Sequence, residues 1–434
     1  MTGVTDEERL ARAALGHVAD PGDLVLGALL RRCRPAEIIA ALAAGRHPLS
    51  GHPLPPLAVP PLPAHPLPVP PLAVPPPSGP PLAGLQPEPG ALWPAGPEPE
   101  QDLPPVRGIP GLDRALRRWG ARIGQIPTSA QLAGWSQDGL RLICPGDPEW
   151  PTQLDALGDA GPVALWLRGS ADLRFACLRS VSIVGARAAT AYGSHVGTEM
   201  AAALAERGWA VVSGGAFGID GCAHRGALAA DGVTVAVLAS GLSYGYPKGH
   251  AELFEAIAAS GVLVSEMPPD RRPTRPGFLI RNRVIAALSR GTVVIEAALR
   301  SGTLSTAARA RDLCRPLMAV PGPVTSDMSA GCHEMIRELG AVLVTGARDV
   351  LEYVAPVGEE LGGPRLGPAV PRDNLDPVTR AVLEAVPSRG GSGPAAIAVS
   401  AGVGLDTAIQ CLGSLAAAGF IERSAQGWRA RKAR

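Results

Sequence analysis

Along the middle of this 434-residue chain, short apolar runs alternate with longer stretches whose apolar positions recur every three to four residues. Residues 181–184 are a β-branched run that stops abruptly at Gly185-Ala186-Arg187, which reads as a strand entering a loop. From Tyr192 the apolar positions Val196, Met200, Ala203 and Leu204 fall at helical spacing, and Gly208 stands where that helix ends. Residues 210–213 make a second strand, which turns through Gly214-Gly215-Ala216-Phe217-Gly218 into a second helix. Strand, helix, strand in this order predicts a parallel pair with a right-handed crossover, so both glycine-bearing loops leave the same carboxyl edge of the sheet. The alternation continues with strands at 233–238, 262–265, 292–296, 317–320 and 341–344, and helices at 250–259, 281–288, 304–313 and 332–339. The whole predicts an α/β protein built on a doubly wound, mostly parallel sheet.

The flanks read differently. Residues 6–42 carry two helical patterns separated by Asp20-Pro21-Gly22, a helix is expected at 112–123, and short strands at 139–149 and 165–169. We expect a helical N-terminal module made of 1–47 and 106–150, split by a disordered proline-rich insertion at 48–105, read as a semi-rigid tract without a dedicated ligand, the alternative being a segment that docks on an aromatic groove of a partner. The sheet domain then spans 151–356, and a second proline-glycine tract at 357–371 is a linker. Residues 372–434 hold three helical segments, at 378–386, 394–401 and 405–418, and a short hairpin, a pattern that resembles a winged helix. Its third helix is poor in basic residues, which leaves DNA contact and protein contact equally open.

Composition narrows the chemistry only locally. Forty basic against 39 acidic side chains give a formal net charge of +1, so a nucleic-acid site has to come from clustering. Nearly all the basic residues are arginine, suited to bidentate phosphate contacts. Seven scattered cysteines with no C-x-x-C pair argue for reduced thiols and against a zinc site. The N-terminus does not read as a secretory signal and no apolar run approaches membrane-spanning length, so a cytoplasmic protein without membrane contact is expected.

Candidate chemistry gathers at the predicted sheet edge. Arg187 beside the Gly214–Gly218 loop suits an anion, most naturally a phosphate. The loop lacks the G-x-G-x-x-G dinucleotide fingerprint, so no hydride-transfer cofactor is expected. Lys248, one of two lysines in the chain, comes to the same edge, either as a phosphate contact or as a solvated side chain. Residues 268–283, PPDRRPTRPGFLIRNR, bring five arginines against one acid with Phe278 among them. Arginines along a backbone with a ring for a base are what sequence-tolerant single-strand binding requires; the alternative is a solvated loop with a core Phe. Ser301, Gly302 and Thr303 read as helix caps that can also line an anion pocket. His224 is either a general base or a packing residue, and Glu296 has no carboxylate cluster around it that suggests a metal.

The motifs SIVGAR, VVSGGAFGIDGCAHRGAL, GYPKGH, FLIRNRVIAALS, VVIEA followed by SGTLSTA, and AVPG, in that order, resemble the DNA-processing protein A family, also called Smf. The resemblance runs from about residue 150 to 354. It implies an extended Rossmann-like fold, no cofactor and no catalysis, and a homodimer that binds single-stranded DNA and loads the RecA recombinase during natural transformation. By motif position it implies that Arg187 grips phosphate, that Ser213, Gly214, Gly215 and Gly218 frame the pocket, and that Arg275, Phe278, Arg281, Asn282 and Arg283 contact DNA. Two positions depart from the family's usual pattern, Gly277 before the aromatic and His333 near the last helix. The competing reading is a nucleoside monophosphate phosphoribohydrolase, in which Glu296 with Gly302-Thr303 forms the catalytic loop; the compact P-G-G-x-G-T-x-x-E motif of those enzymes is absent.

Overall fold

The computed structural model describes residues 4–54, 109–356, 359 and 371–431, and divides the chain into two compact units, one through Glu360 and one from Leu361. Almost all of the 48–105 insertion and of the 357–371 linker lies outside the described residues.

The first unit opens with helices α1 (Asp6–Val18), α2 (Leu24–Leu30) and α3 (Pro35–Ala43), one more than the two helical patterns predict. Pro35 starts α3 at a position where its missing N–H costs nothing. Helices α4 (Leu112–Gly120) and α5 (Ser129–Gln137) come next. Leu15, Leu29 and Ile38 close around Trp119 in a core of their own.

The sheet begins with β1 (Arg141–Ile143), β2 (Leu165–Gly169), α6 (Leu173–Leu178), β3 (Ser180–Val184), α7 (Ala191–Ala205), β4 (Ala210–Ser213), α8 (Ile219–Ala229), β5 (Thr234–Leu238) and α9 (Ala251–Ser260). It continues with β6 (Val262–Ser265), α10 (Arg275–Leu288), β7 (Thr292–Val294), α11 (Thr303–Asp312), β8 (Leu317–Ala319), α12 (Asp327–Glu338), β9 (Val342–Leu343) and α13 (Ala347–Val354). Spatial order is β1-β2-β6-β5-β4-β3-β7-β8-β9. Every pair from β6 to β9 is parallel, while β1 and β2 add an antiparallel edge. The strand expected in the N-terminal module is therefore an edge strand of the main sheet, and α1 sends Arg9 to Asp147 just past it at 2.8 Å.

Successive strand residues face opposite sides, as the pleat requires. Val181 and Ile183 pack under α7, α8 and α13, whereas Val184, Val212, Val235 and Val237 pack under α10, α11 and α12. Both faces are covered, which explains why these strands read as continuous apolar runs. Burying each Val, Leu or Ile side chain contributes roughly 1.5–3 kcal/mol.

Two helices start well before the sequence reading places them. Helix α10 begins at Arg275, six residues before the expected start, because Thr274 accepts from the Gly277 N–H and Pro276 is tolerated in the first turn. Helix α12 likewise begins at Asp327, before the expected 332.

The second unit holds α14 (Pro377–Ala385), α15 (Pro394–Ala401) and α16 (Leu405–Ala417), then the hairpin β10 (Ile421–Ser424) and β11 (Gly427–Ala430). Val382, Ile397, Leu412 and Ile421 form its core.

Candidate nucleic-acid interface

The chain runs β3, β4, β5, β6 to one side and then returns to place β7 on the other side of β3. At such a reversal the loops after the two central strands diverge and leave a crevice at the carboxyl edge. A cleft of about 350 Å³ lies there. Gly185, Ala186, Arg187 and Ala188 after β3 form one wall, and Ala298, Ser301, Gly302 and Thr303 after β7 form the opposite one. Phe278, Leu279, Arg281 and Asn282 of α10 close it, with Ala216 and Asp220 at the start of α8.

Close backbone approach makes this geometry. Gly218 has φ +77°, and a Cβ there would stand 2.3 Å from the Ala186 carbonyl oxygen and 2.4 Å from that of Arg187. Only glycine lets the α8 N-terminus meet the turn that carries Arg187. Gly214 is equally constrained, since its Cβ would fall 2.5 Å from Arg281 Nη1 and 2.6 Å from Asp220 Oδ2.

Arg187 is exposed, and its guanidinium lies 4.8 Å from the centroid of the Phe278 ring. Tyr246 meets that ring edge-on at 5.8 Å. Arg187, Gly214, Phe278, Tyr246 and Phe217 share a smaller hollow beside the cleft. On the far wall the Ser301 hydroxyl accepts from the Thr303 N–H at 3.2 Å and donates to Thr303 Oγ1 at 2.9 Å, fixing the turn that leads into α11. The Asn282 amide reaches the Gly302 carbonyl at 3.5 Å.

Arg281 is buried and works from beneath. It donates to the Gly214 carbonyl at 2.5 Å and also to that of Val237. Burial pushes its pKa down to about 10, opposed by Asp220, so it stays charged at neutral pH. Burial likewise raises the Asp220 carboxyl, against the pull of Arg281 and of the backbone N–H groups of Ala216 and Gly214. Asp220 was visible only as the last residue of the glycine loop; an acid in the first turn of a helix that faces an arginine is the signal that marks it.

Other expected residues stand elsewhere. Ser213 is fully buried and donates to the Ile183 carbonyl at 2.6 Å, so it ties β4 to β3 instead of facing the cleft. Arg283 points to the opposite side of α10, where it pairs with Glu266 at 2.8 Å beside Gly22. At 100° per residue, Arg281 and Arg283 cannot share one face of a helix. Gly215, with φ +67°, packs against Leu238 and Phe254 and shapes the loop without lining the cleft. Arg275 is exposed at the start of α10, one turn before Phe278. Lys248 lies with its Nζ 4.9 Å over the Tyr244 ring, which Arg272 approaches at 5.9 Å from its centroid.

Glu296 is buried, accepting from the Thr190 N–H at 3.0 Å and the Thr190 hydroxyl at 2.5 Å. It latches β7 to the start of α7, so the carboxylate a phosphoribohydrolase needs is already engaged. His224 is buried too: the Thr234 hydroxyl donates to the Val211 carbonyl, so it accepts from His224 Nδ1–H at 2.7 Å. That assigns a packing role. His333 bonds the Gly322 carbonyl at 3.0 Å and does not line the cleft. Among the described residues no group of three or more His, Cys, Asp or Glu could hold a metal, and no single helix is long and apolar enough to cross a membrane.

The family model for DNA recombination-mediator protein A matches residues 141–355, the span that carries the whole sheet and cleft. A DprA-named DNA processing protein of Mycobacterium tuberculosis is 49% identical over 302 residues, 67% of this chain and 77% of that protein. The chain belongs to the DNA-processing protein A family. DNA processing protein DprA of Bacillus subtilis is 34% identical over 221 residues, 51% of this chain and 73% of that protein. The X-ray structure of DNA processing protein A from Streptococcus pneumoniae superposes with a TM-score of 0.51 at 35% identity, covering 57% of this chain and 85% of that one. The fold class and the family named from the motifs both hold. The family is described as a mediator of DNA recombination.

Proposed function

We propose that the cleft binds single-stranded DNA and that the protein acts as a cytoplasmic mediator, holding incoming DNA and loading a RecA-type recombinase onto it in natural transformation, as a homodimer. The observation that carries the DNA-binding reading is the Arg187 guanidinium laid over Phe278 at the mouth of a crevice walled by the α11 N-terminus. A cation over a ring at the positive end of a helix dipole together suit a phosphate and the base attached next to it. In this reading Arg187, Lys248 and Arg275 contact phosphates and Phe278 takes a base. Ser301, Gly302, Thr303 and Asn282 line the pocket, and Arg281 with Gly214, Gly215 and Gly218 holds its shape. Ser213 and Arg283 act through the fold.

Fluorescence anisotropy with labelled oligo(dT) and mixed-sequence strands, over a range of salt, tests it. Affinity independent of sequence, a steep salt slope, and a shallower slope for Arg187→Ala support the reading. A flat salt response, or base release from nucleoside monophosphates without DNA retention, refutes it.

A further inference from the structure

Phe217 is not used by the cleft. It sits in the loop between β4 and α8 with half of its surface in water, although its neighbours Gly215, Gly218 and Ile219 serve the fold. A ring left half in water forgoes the gain that burial gives, so its placement calls for an explanation.

The ring is held firmly. It meets His250 edge-on with centroids 4.6 Å apart, and it lies so close over Gly249 that a Cβ there would stand 3.1 Å from its Cζ. His250 is itself buried, bonded through Nδ1 to the Gly215 carbonyl at 3.1 Å and packed edge-on against Phe254. One side of Phe217 is therefore braced while the rest stays open. Two exposed cations belong to the same neighbourhood: Lys248 precedes Gly249 in the chain with its ammonium over Tyr244, and the Arg225 guanidinium lies beside His250, since both approach the same point over Gly221. Neither forms an ion pair among the described residues.

Phe217 and Phe278 line one hollow together with Arg187 and Tyr246. The hollow holds about 30 Å³, room for about one water and not for a base. A base could therefore stack only over either ring, not between them.

We propose that Phe217 is a second stacking platform, which takes the nucleobase next to the one on Phe278 while Lys248 and Arg225 meet the flanking phosphates. The inference rests on the single-strand reading above and adds to it a site at least two successive nucleotides long.

The test uses the full chain and oligo(dT), alongside a strand of the same length made of abasic sites. Stacking on one ring is worth about 5- to 150-fold in affinity. We expect Phe217→Ala and Phe217→Leu to weaken oligo(dT) within that range with an unchanged salt slope, and Phe217→Trp to restore it with indole quenching on binding. The abasic strand should bind wild type and Phe217→Leu alike. Leu keeps apolar bulk on His250 without a π-face, so it remains informative if the Ala variant fails to fold. Unchanged oligo(dT) affinity for Phe217→Leu, with Phe278→Ala weakened, overturns the second platform and leaves the single-strand reading standing. Wild-type protein that retains no oligonucleotide overturns both.

Discussion

Gly218→Ala, compared with Gly208→Ala, tests whether the tight meeting of two loops positions the site. Both glycines have positive φ, +77° and +72°, and Gly218 adds a ψ of −130°, a combination that essentially only glycine adopts. An alanine at a left-handed position costs about 1–2 kcal/mol, and the ψ of Gly218 adds to that. The surroundings differ. A Cβ on Gly208 meets nothing within 4 Å, whereas one on Gly218 lands 2.3 and 2.4 Å from two main-chain oxygens, about 1 Å inside ordinary contact. Those oxygens belong to Ala186 and Arg187, and neither can rotate away as a side chain could. The Ile219 N–H also donates to the Ala186 oxygen at 3.1 Å, so the clash breaks a bond that holds the turn. Gly208→Ala should therefore lower stability by about 1–2 kcal/mol and leave oligonucleotide affinity unchanged. Gly218→Ala should cost at least that and also move Arg187 off its phosphate. Losing a hydrogen bond to a charged group costs about 1.5–3 kcal/mol, roughly 10- to 150-fold in affinity. Thermal melts and anisotropy on the same preparations read both quantities. If Gly218→Ala melts and binds like Gly208→Ala, the loop contact does not position Arg187 and the account of the site is wrong.

Buried groups supply two further tests. Burial holds the His224 pKa down at about 3, with His250, Arg225 and Arg281 adding to the effect. Its folded value lies below the unfolded one near 6.5, so the unfolded chain binds the extra proton; stability is full above about pH 6.5 and falls toward pH 3. Melting between pH 7 and 4.5 should fall less steeply for His224→Gln than for wild type, and parallel curves would exclude the imidazole as a cause. Arg283→Ala strands Glu266 in a buried setting and should destabilise the protein by about 3–5 kcal/mol, with the oligonucleotide salt slope unchanged in protein that remains folded. A reduced slope in a stable protein would return Arg283 to the DNA site.

The sequence by itself determined the local structure and the loop placement that local structure compels. Strands β3, β4 and β6 and helix α15 lie where the apolar runs, glycines and prolines place them, because those signals act within a few residues. Parallel strand order then obliges the loops bearing Arg187 and Gly214 to share an edge, so the neighbourhood of the site was legible as well. The edge strands β1 and β2, the jump that sets β7 beside β3, and the crevice between them were decided only in the tertiary structure, since strand neighbours are chosen by contacts far apart in sequence. Side-chain direction was decided there too. The R-N-R run looks uniformly basic in one dimension, but helix α10 turns Arg281 under Gly214 and Arg283 toward Glu266, and the low dielectric of each site makes a partner obligatory. Phe278 and Arg187, ninety-one positions apart, became one feature only when the fold laid the guanidinium over the ring.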